Sequence, residues 1–157
     1  MDSSSVIHDT FTIQRLFPVP PEKVFAAFAT TEAKNVWGDT GNLESVDDGF
    51  EPIFDFRVGG HETFIVRMDA TTFRYDALYY DIVPNRRIVY AYEMYANDDR
   101  ISVSLTTIEF TRVDGGTAFD YTEQGAYLDG FDGADAPSLR HGGTTEMVEN
   151  LGQFLRV

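Results

Sequence analysis

From Phe54 to Tyr95, apolar and polar residues alternate along the chain. Many of the apolar positions hold bulky rings: Phe54, Phe56, Phe64, Phe73, Tyr75, Tyr79, Tyr90 and Tyr92. A period of two built on aromatic and β-branched residues predicts strands, here over residues 53–58, 61–68, 72–83 and 87–95. Gly59-Gly60 suits a two-residue hairpin because both glycines tolerate positive φ. Pro84-Asn85 closes the third of these strands, and Asn97-Asp98-Asp99 makes the next turn. Residues 101–112 and 117–124 flank Asp114-Gly115-Gly116, a second hairpin signal. Residues 42–48 read as a short strand, with Asp47-Asp48-Gly49 as a turn. Asp9 to Phe17 alternates as an edge or hairpin strand ahead of this meander of about six strands. The rings outnumber what a small solid core requires, so the sheet is expected to curve around a cavity.

After the first strand the period changes. Pro18 to Phe28 places prolines before and at the opening of a helix, where a missing N–H is harmless, with Glu22 in the first turn. Val24, Phe25 and Phe28 form its apolar stripe. Thr30 or Thr31 caps a second short helix through Lys34, ended by Trp37 and Gly38. Ser138 is expected to cap a long final helix to Leu155, in which Met147, Leu151 and Leu155 recur every four residues beside Val148 and Phe154. Gly142 and Gly143 each cost this helix roughly 1 kcal/mol against alanine, which predicts a local opening, a frayed start or a close approach to the backbone. Gly125 to Pro137, rich in glycine, alanine and aspartate, reads as a loop or lid. Residues 1–7, with the Ser3-Ser4-Ser5 run, read as a disordered start.

Composition narrows the function. A chain of 157 residues that is 43% hydrophobic supports one domain over 1–157 and one core. Its net charge of −14 disfavours nucleic acid and anionic membranes as partners. Without cysteine there is no disulfide, thiol nucleophile or zinc knuckle, and residues 1–11 lack the basic and apolar regions of a signal peptide, so a cytoplasmic address is expected. No cofactor is expected, and a homodimer is left open.

The order of strand, two short helices, long meander and long helix makes an α+β domain. With Pro20-Pro21-Glu22-Lys23-Val24-Phe25, Trp37, Arg57-Val58-Gly59-Gly60, residues 82–90, Gly115-Gly116-Thr117 and the terminal helix, the chain resembles the SRPBCC, or START-like, helix-grip superfamily. More narrowly it resembles the branch of the C-terminal domain of the activator of heat-shock-protein-90 ATPase, which includes the calicheamicin-resistance protein. The resemblance implies a helix-grip fold: a curved antiparallel sheet wrapped around the C-terminal helix, with a cavity between them. It says little about function, because one such fold hosts many.

The chemistry therefore rests on residues. No nucleotide-phosphate loop, nucleophile elbow or His-Glu-x-x-His motif occurs. His61 and Glu62 are neighbours on a strand and point to opposite faces, so His61 reads as a solvent-facing turn residue. His141 reads as a polar residue near the start of the last helix, and Arg57 as an anion-orienting residue or a hairpin ion pair. Asp129, Asp132 and Asp135 lack the alternate spacing of a calcium loop, and no metal is expected. In residues 117–123, Thr117, Phe119, Tyr121 and Glu123 share one face, and the rings nominate it as the inner one, which projects Glu123 into the concavity. On residues 87–95 Ile88, Tyr90, Tyr92 and Met94 compete with Val89, Ala91, Glu93 and Tyr95; the first set is the greasier, which makes Glu93 a weaker candidate than Glu123. The expected site is an aromatic wall of Trp37, Phe56, Tyr75, Tyr79, Tyr92, Tyr127 and Phe131, with Glu123, and with Met147 and Leu151 on the helix side. The function expected is binding of a small hydrophobic or aromatic molecule for carriage, sequestration or sensing. The alternatives are a cyclase, dehydratase or hydrolase using Glu123 as general base, and a protein-interaction module like the heat-shock ATPase activator.

Overall fold

A computed structural model describes residues 5–38 and 50–156. Among them β1 (Val6–Phe17) is followed by α1 (Pro21–Ala29) and α2 (Thr31–Trp37). Six strands then run in sequence: β2 (Ile53–Phe54), β3 (His61–Met68), β4 (Thr71–Val83), β5 (Arg87–Ala96), β6 (Asp99–Val113) and β7 (Gly116–Leu128). A short 3-10 turn, Gly133–Asp135, leads into α3 (Ala136–Leu155). The seven strands form one antiparallel curved sheet in the order β1-β7-β6-β5-β4-β3-β2, and α3 lies against it, as the helix-grip expectation requires. No helix among the described residues is long and apolar enough to cross a membrane.

Several boundaries differ from expectation, each for a local reason. β1 begins at Val6, not Asp9, because Val6 and Ile7 pair with Leu128 and Tyr127; residues 6 and 7 are therefore strand rather than disordered start. That pairing also carries β7 through Gly125 to Leu128, so the expected loop from Gly125 shrinks to a few residues. The predicted strand at 42–48 and turn at 47–49 lie outside the described residues. β2 is only two residues long, and the hairpin loop is wider than two glycines. Gly59 has φ +83°, whereas Gly60 is needed because a Cβ there would lie 2.1 Å from the Asp55 carbonyl oxygen.

α1 buries Val24, Phe25 and Phe28, the stripe read from sequence, and Ala27 with them. α2 is capped by Thr30, whose Oγ1 accepts the Ala33 N–H at 3.2 Å, and it runs on to Trp37. α3 starts two residues before Ser138, which lies inside the first turn with its hydroxyl bonded to the Asp135 carbonyl. The helix is unbroken at Gly142 and Gly143, where a Cβ would meet nothing within 4 Å.

Phenylalanines and tyrosines divide the interior. Phe17, Phe25, Phe28, Phe110 and Phe119 pack ring against ring with Trp37, Val148, Leu151 and Leu155 into a solid core. Trp37 Nε1 donates to the Ala27 carbonyl at 2.8 Å, so its buried polar atom is satisfied. Toward the other end of α3 the packing opens, and tyrosines take over.

Two register shifts interrupt the pairing of the sheet. An extra residue, Tyr80, interrupts the β4–β5 pairing, and Ile101 interrupts β5–β6. A bulge kinks its strand and resets which residues face inward. Ile101 and Ser102, although adjacent, are both buried.

Candidate functional site

A cavity of about 590 Å³ lies between α2, the N-terminal half of α3 and the inner face of the sheet, within the range of small-molecule sites. Alternation builds its floor. On β3, Glu62, Phe64 and Val66 share one face; Tyr75 and Tyr79 do so on β4, and Ile88, Tyr90, Tyr92 and Met94 on β5. Phe64 stacks on Tyr75 with centroids 4.7 Å apart, and Tyr75 meets Tyr92 at 4.8 Å, which makes a continuous aromatic strip. α3 supplies Leu139, Arg140, Gly143, Thr144 and Met147 as the roof, and α2 closes one side with Lys34 and Trp37.

Two polar clusters interrupt this apolar wall. In the first, Glu62 Oε1 accepts from Lys34 Nζ and from the Tyr79 hydroxyl, both at 2.6 Å. In the second, the Arg140 guanidinium donates from Nη1 to the Tyr92 hydroxyl and from Nη2 to Ser102 Oγ, both at 2.8 Å. The Tyr92 hydroxyl in turn donates to Glu123 Oε2 at 2.8 Å, and Thr106 donates to the other carboxylate oxygen at 3.4 Å. Arg140 Nη1 stands 3.6 Å from Glu123 Oε2, with the two side chains 16% and 1% exposed. Between the clusters the Tyr90 and Tyr121 hydroxyls bond each other at 3.1 Å.

Burial sets the protonation states. Desolvation raises the Glu123 carboxyl above its ordinary 4.5, and the nearby Arg140 charge and Tyr92 hydrogen bond oppose that rise. Arg140 is thus the cationic partner of this buried acid. Removal from water pushes Tyr90 up to about 12 and Tyr92 well above the usual phenol range. These tyrosines stay neutral near pH 7 and serve as hydrogen-bond donors and acceptors, not as bases.

Of the ten residues expected at the site, Trp37, Phe56, Tyr75, Tyr79, Tyr92 and Met147 line the cavity. The other four are placed elsewhere. Glu123 is on the inner face, as expected, but fully buried behind Tyr92 and Arg140. Tyr127 belongs to β7, which runs on to Leu128, and lines an adjoining void of about 10 Å³ instead of the cavity. Phe131, in the shortened loop, is 49% exposed and packs edge-on against Phe73. Leu151 belongs to the solid core. Arg57 forms the exposed ion pair with Asp55, and His141 stacks on Phe11 at 4.4 Å.

Two residues at the centre of the site were missed, and the sequence carried a signal for both. Extending the Leu151 and Leu155 stripe back along α3 reaches Thr144 and Arg140, which share its face. Glu62 alternates with Phe64 and Val66, so the reasoning that placed Glu123 inside applied equally to it.

A family model described as Activator of Hsp90 ATPase homolog 1-like protein matches residues 18–156. Among solved structures, an uncharacterized protein from Rhizobium leguminosarum is 40% identical, with a TM-score of 0.84 over 98% of this chain and 97% of that one. The Mll3558 protein from Rhizobium loti is 42% identical, with a TM-score of 0.81 over 96% and 99%. Protein CV1439 from Chromobacterium violaceum is 23% identical, with a TM-score of 0.71 over 94% and 97%, and shares the fold. No curated protein matches the chain.

Proposed function

We propose, from the premise that the chain belongs to the Activator of Hsp90 ATPase homolog 1-like family, that it binds a small hydrophobic or aromatic molecule in the cavity under α3, as a carrier, sequestering or sensing protein. The observation that carries this reading is the cavity itself: about 590 Å³ walled mainly by aromatic and aliphatic side chains, with few polar groups, the usual make-up of a small-molecule pocket. An enzyme using Glu123 as general base gains no support from the geometry. Its carboxylate is held by Tyr92 and Thr106 and does not reach the cavity wall.

Phenylnaphthylamine, a neutral dye whose fluorescence rises in apolar surroundings, should bind the folded protein saturably at roughly one dye per chain. Dye titration with no saturable component would remove the carrier reading.

Gly143 gives a sharper test. It stands on the cavity wall with empty space where a side chain would go, whereas Gly142, beside it, does not line the cavity. Gly142→Ala should stabilise α3 by about 1 kcal/mol and leave dye binding alone. Gly143→Leu should also raise the melting temperature, yet weaken the dye severalfold by filling the cavity mouth. Equal binding by both variants would mean that the dye sits elsewhere.

A further inference from the structure

The two polar clusters offer opposite chemistry. Glu62 presents an acceptor: Lys34 and Tyr79 both donate to Oε1, and the carboxylate belongs to a residue that lines the cavity. Arg140 presents only donors, because a guanidinium has five N–H groups and no acceptor. It spends one from each terminal nitrogen on Tyr92 and Ser102 while lining the cavity. At that end Tyr92 is saturated, since it accepts from Arg140 and donates to Glu123.

The clusters sit at a defined separation. Glu62 is in register with Ala77, and Ala77 with Tyr92, so Glu62 and the tyrosine bonded to Arg140 are two strands apart, about 10 Å along the sheet. The small Ala77 lies directly between them, and the strip of Phe64, Tyr75 and Tyr92 rings runs alongside. A planar ring system lying on that strip would bring one end to each cluster.

Charge selects among such ligands. Arg140 is already balanced by Glu123, and Lys34 by Glu62. An anion would bring an uncompensated charge into a mainly apolar cavity, inside a protein of net charge −14. We infer that the cavity recognises a neutral hydroxylated aromatic ketone, whose carbonyl accepts from Arg140 and whose hydroxyl donates to Glu62. This inference rests on the ligand-binding reading above and narrows it to one ligand class.

The test is a matched series titrated into the wild-type protein: naphthalene, naphthol, acetonaphthone, hydroxyacetonaphthone with its groups at opposite ends, and hydroxynaphthoate. Each hydrogen bond to a charged group should tighten binding about tenfold, so hydroxyacetonaphthone should be tightest and hydroxynaphthoate weaker than it. In the double variant Arg140→Leu/Glu123→Gln the gain from the carbonyl should vanish and the gain from the hydroxyl persist. If all five ligands bind alike, or hydroxynaphthoate binds tightest, the ligand class is wrong while cavity binding stands. If neither they nor the dye bind, both readings fall.

Discussion

Arg140→Leu should destabilise the protein by about 3–5 kcal/mol at pH 7.5, the usual result of removing one partner from a buried ion pair. The loss should shrink on acidification. The folded-state pKa of Glu123 already lies above its ordinary 4.5 because of desolvation, and Arg140 holds it down. Without the arginine it rises further. A carboxyl with a raised folded pKa binds its proton more tightly folded than unfolded, so it costs no stability below pH 4.5 and costs more as pH climbs through the folded value. Near pH 4 the variant should therefore lose only the bonds to Tyr92 and Ser102 and the packing of the arginine stem. Adding Glu123→Gln should recover much of the neutral-pH loss, because the unpaired charge is then gone. Denaturant titrations at the two pH values decide the matter. Equal losses at both, with no recovery in the double variant, would mean that Glu123 and Arg140 are not coupled.

Leu151→Ala should cost about 2–5 kcal/mol, the range for a buried leucine cut back to alanine. Leu151 is fully buried in the core of Phe17, Phe28, Phe119 and Val148, at the end of α3 where the helix is packed tight. Leu139, near the other end of the same helix, is 57% exposed at the cavity. Leu139→Ala should change stability by no more than about 0.5 kcal/mol. A shift in the denaturation midpoint at Leu151 as small as at Leu139 would show that α3 is not anchored where the structure places it.

This contrast along one helix shows what the sequence could carry. The strands, the three helices and the helix-grip arrangement were legible because alternation and the 3.6 period are local signals. So was the inward choice of Ile88, Tyr90, Tyr92 and Met94, and of Thr117, Phe119, Tyr121 and Glu123. What escaped depends on pairing between distant segments. The ends of β1 and β7 are fixed by each other, so neither Val6 nor Leu128 could be placed from its own neighbourhood. The bulges at Tyr80 and Ile101 reset the inside face of their strands, and only the register against the partner reveals them. Arg140 and Glu62 lay within reach of the periodic signals, but a charged residue on a periodic stripe reads as solvated until its partner is known.

The pairing of β1 with β7 also sets an order of events during synthesis. Every other strand bonds to the one made just before or after it, whereas the partner of β1 lies more than half the chain downstream. Hairpins β3 to β7 can zip as they emerge, but closing the long loop back to β1 must wait, and such non-local pairings slow folding. Until then Phe11, Ile13 and Phe17, the buried face of β1, stand uncovered on the growing chain. The interval before β7 arrives is when the nascent protein is most exposed to aggregation.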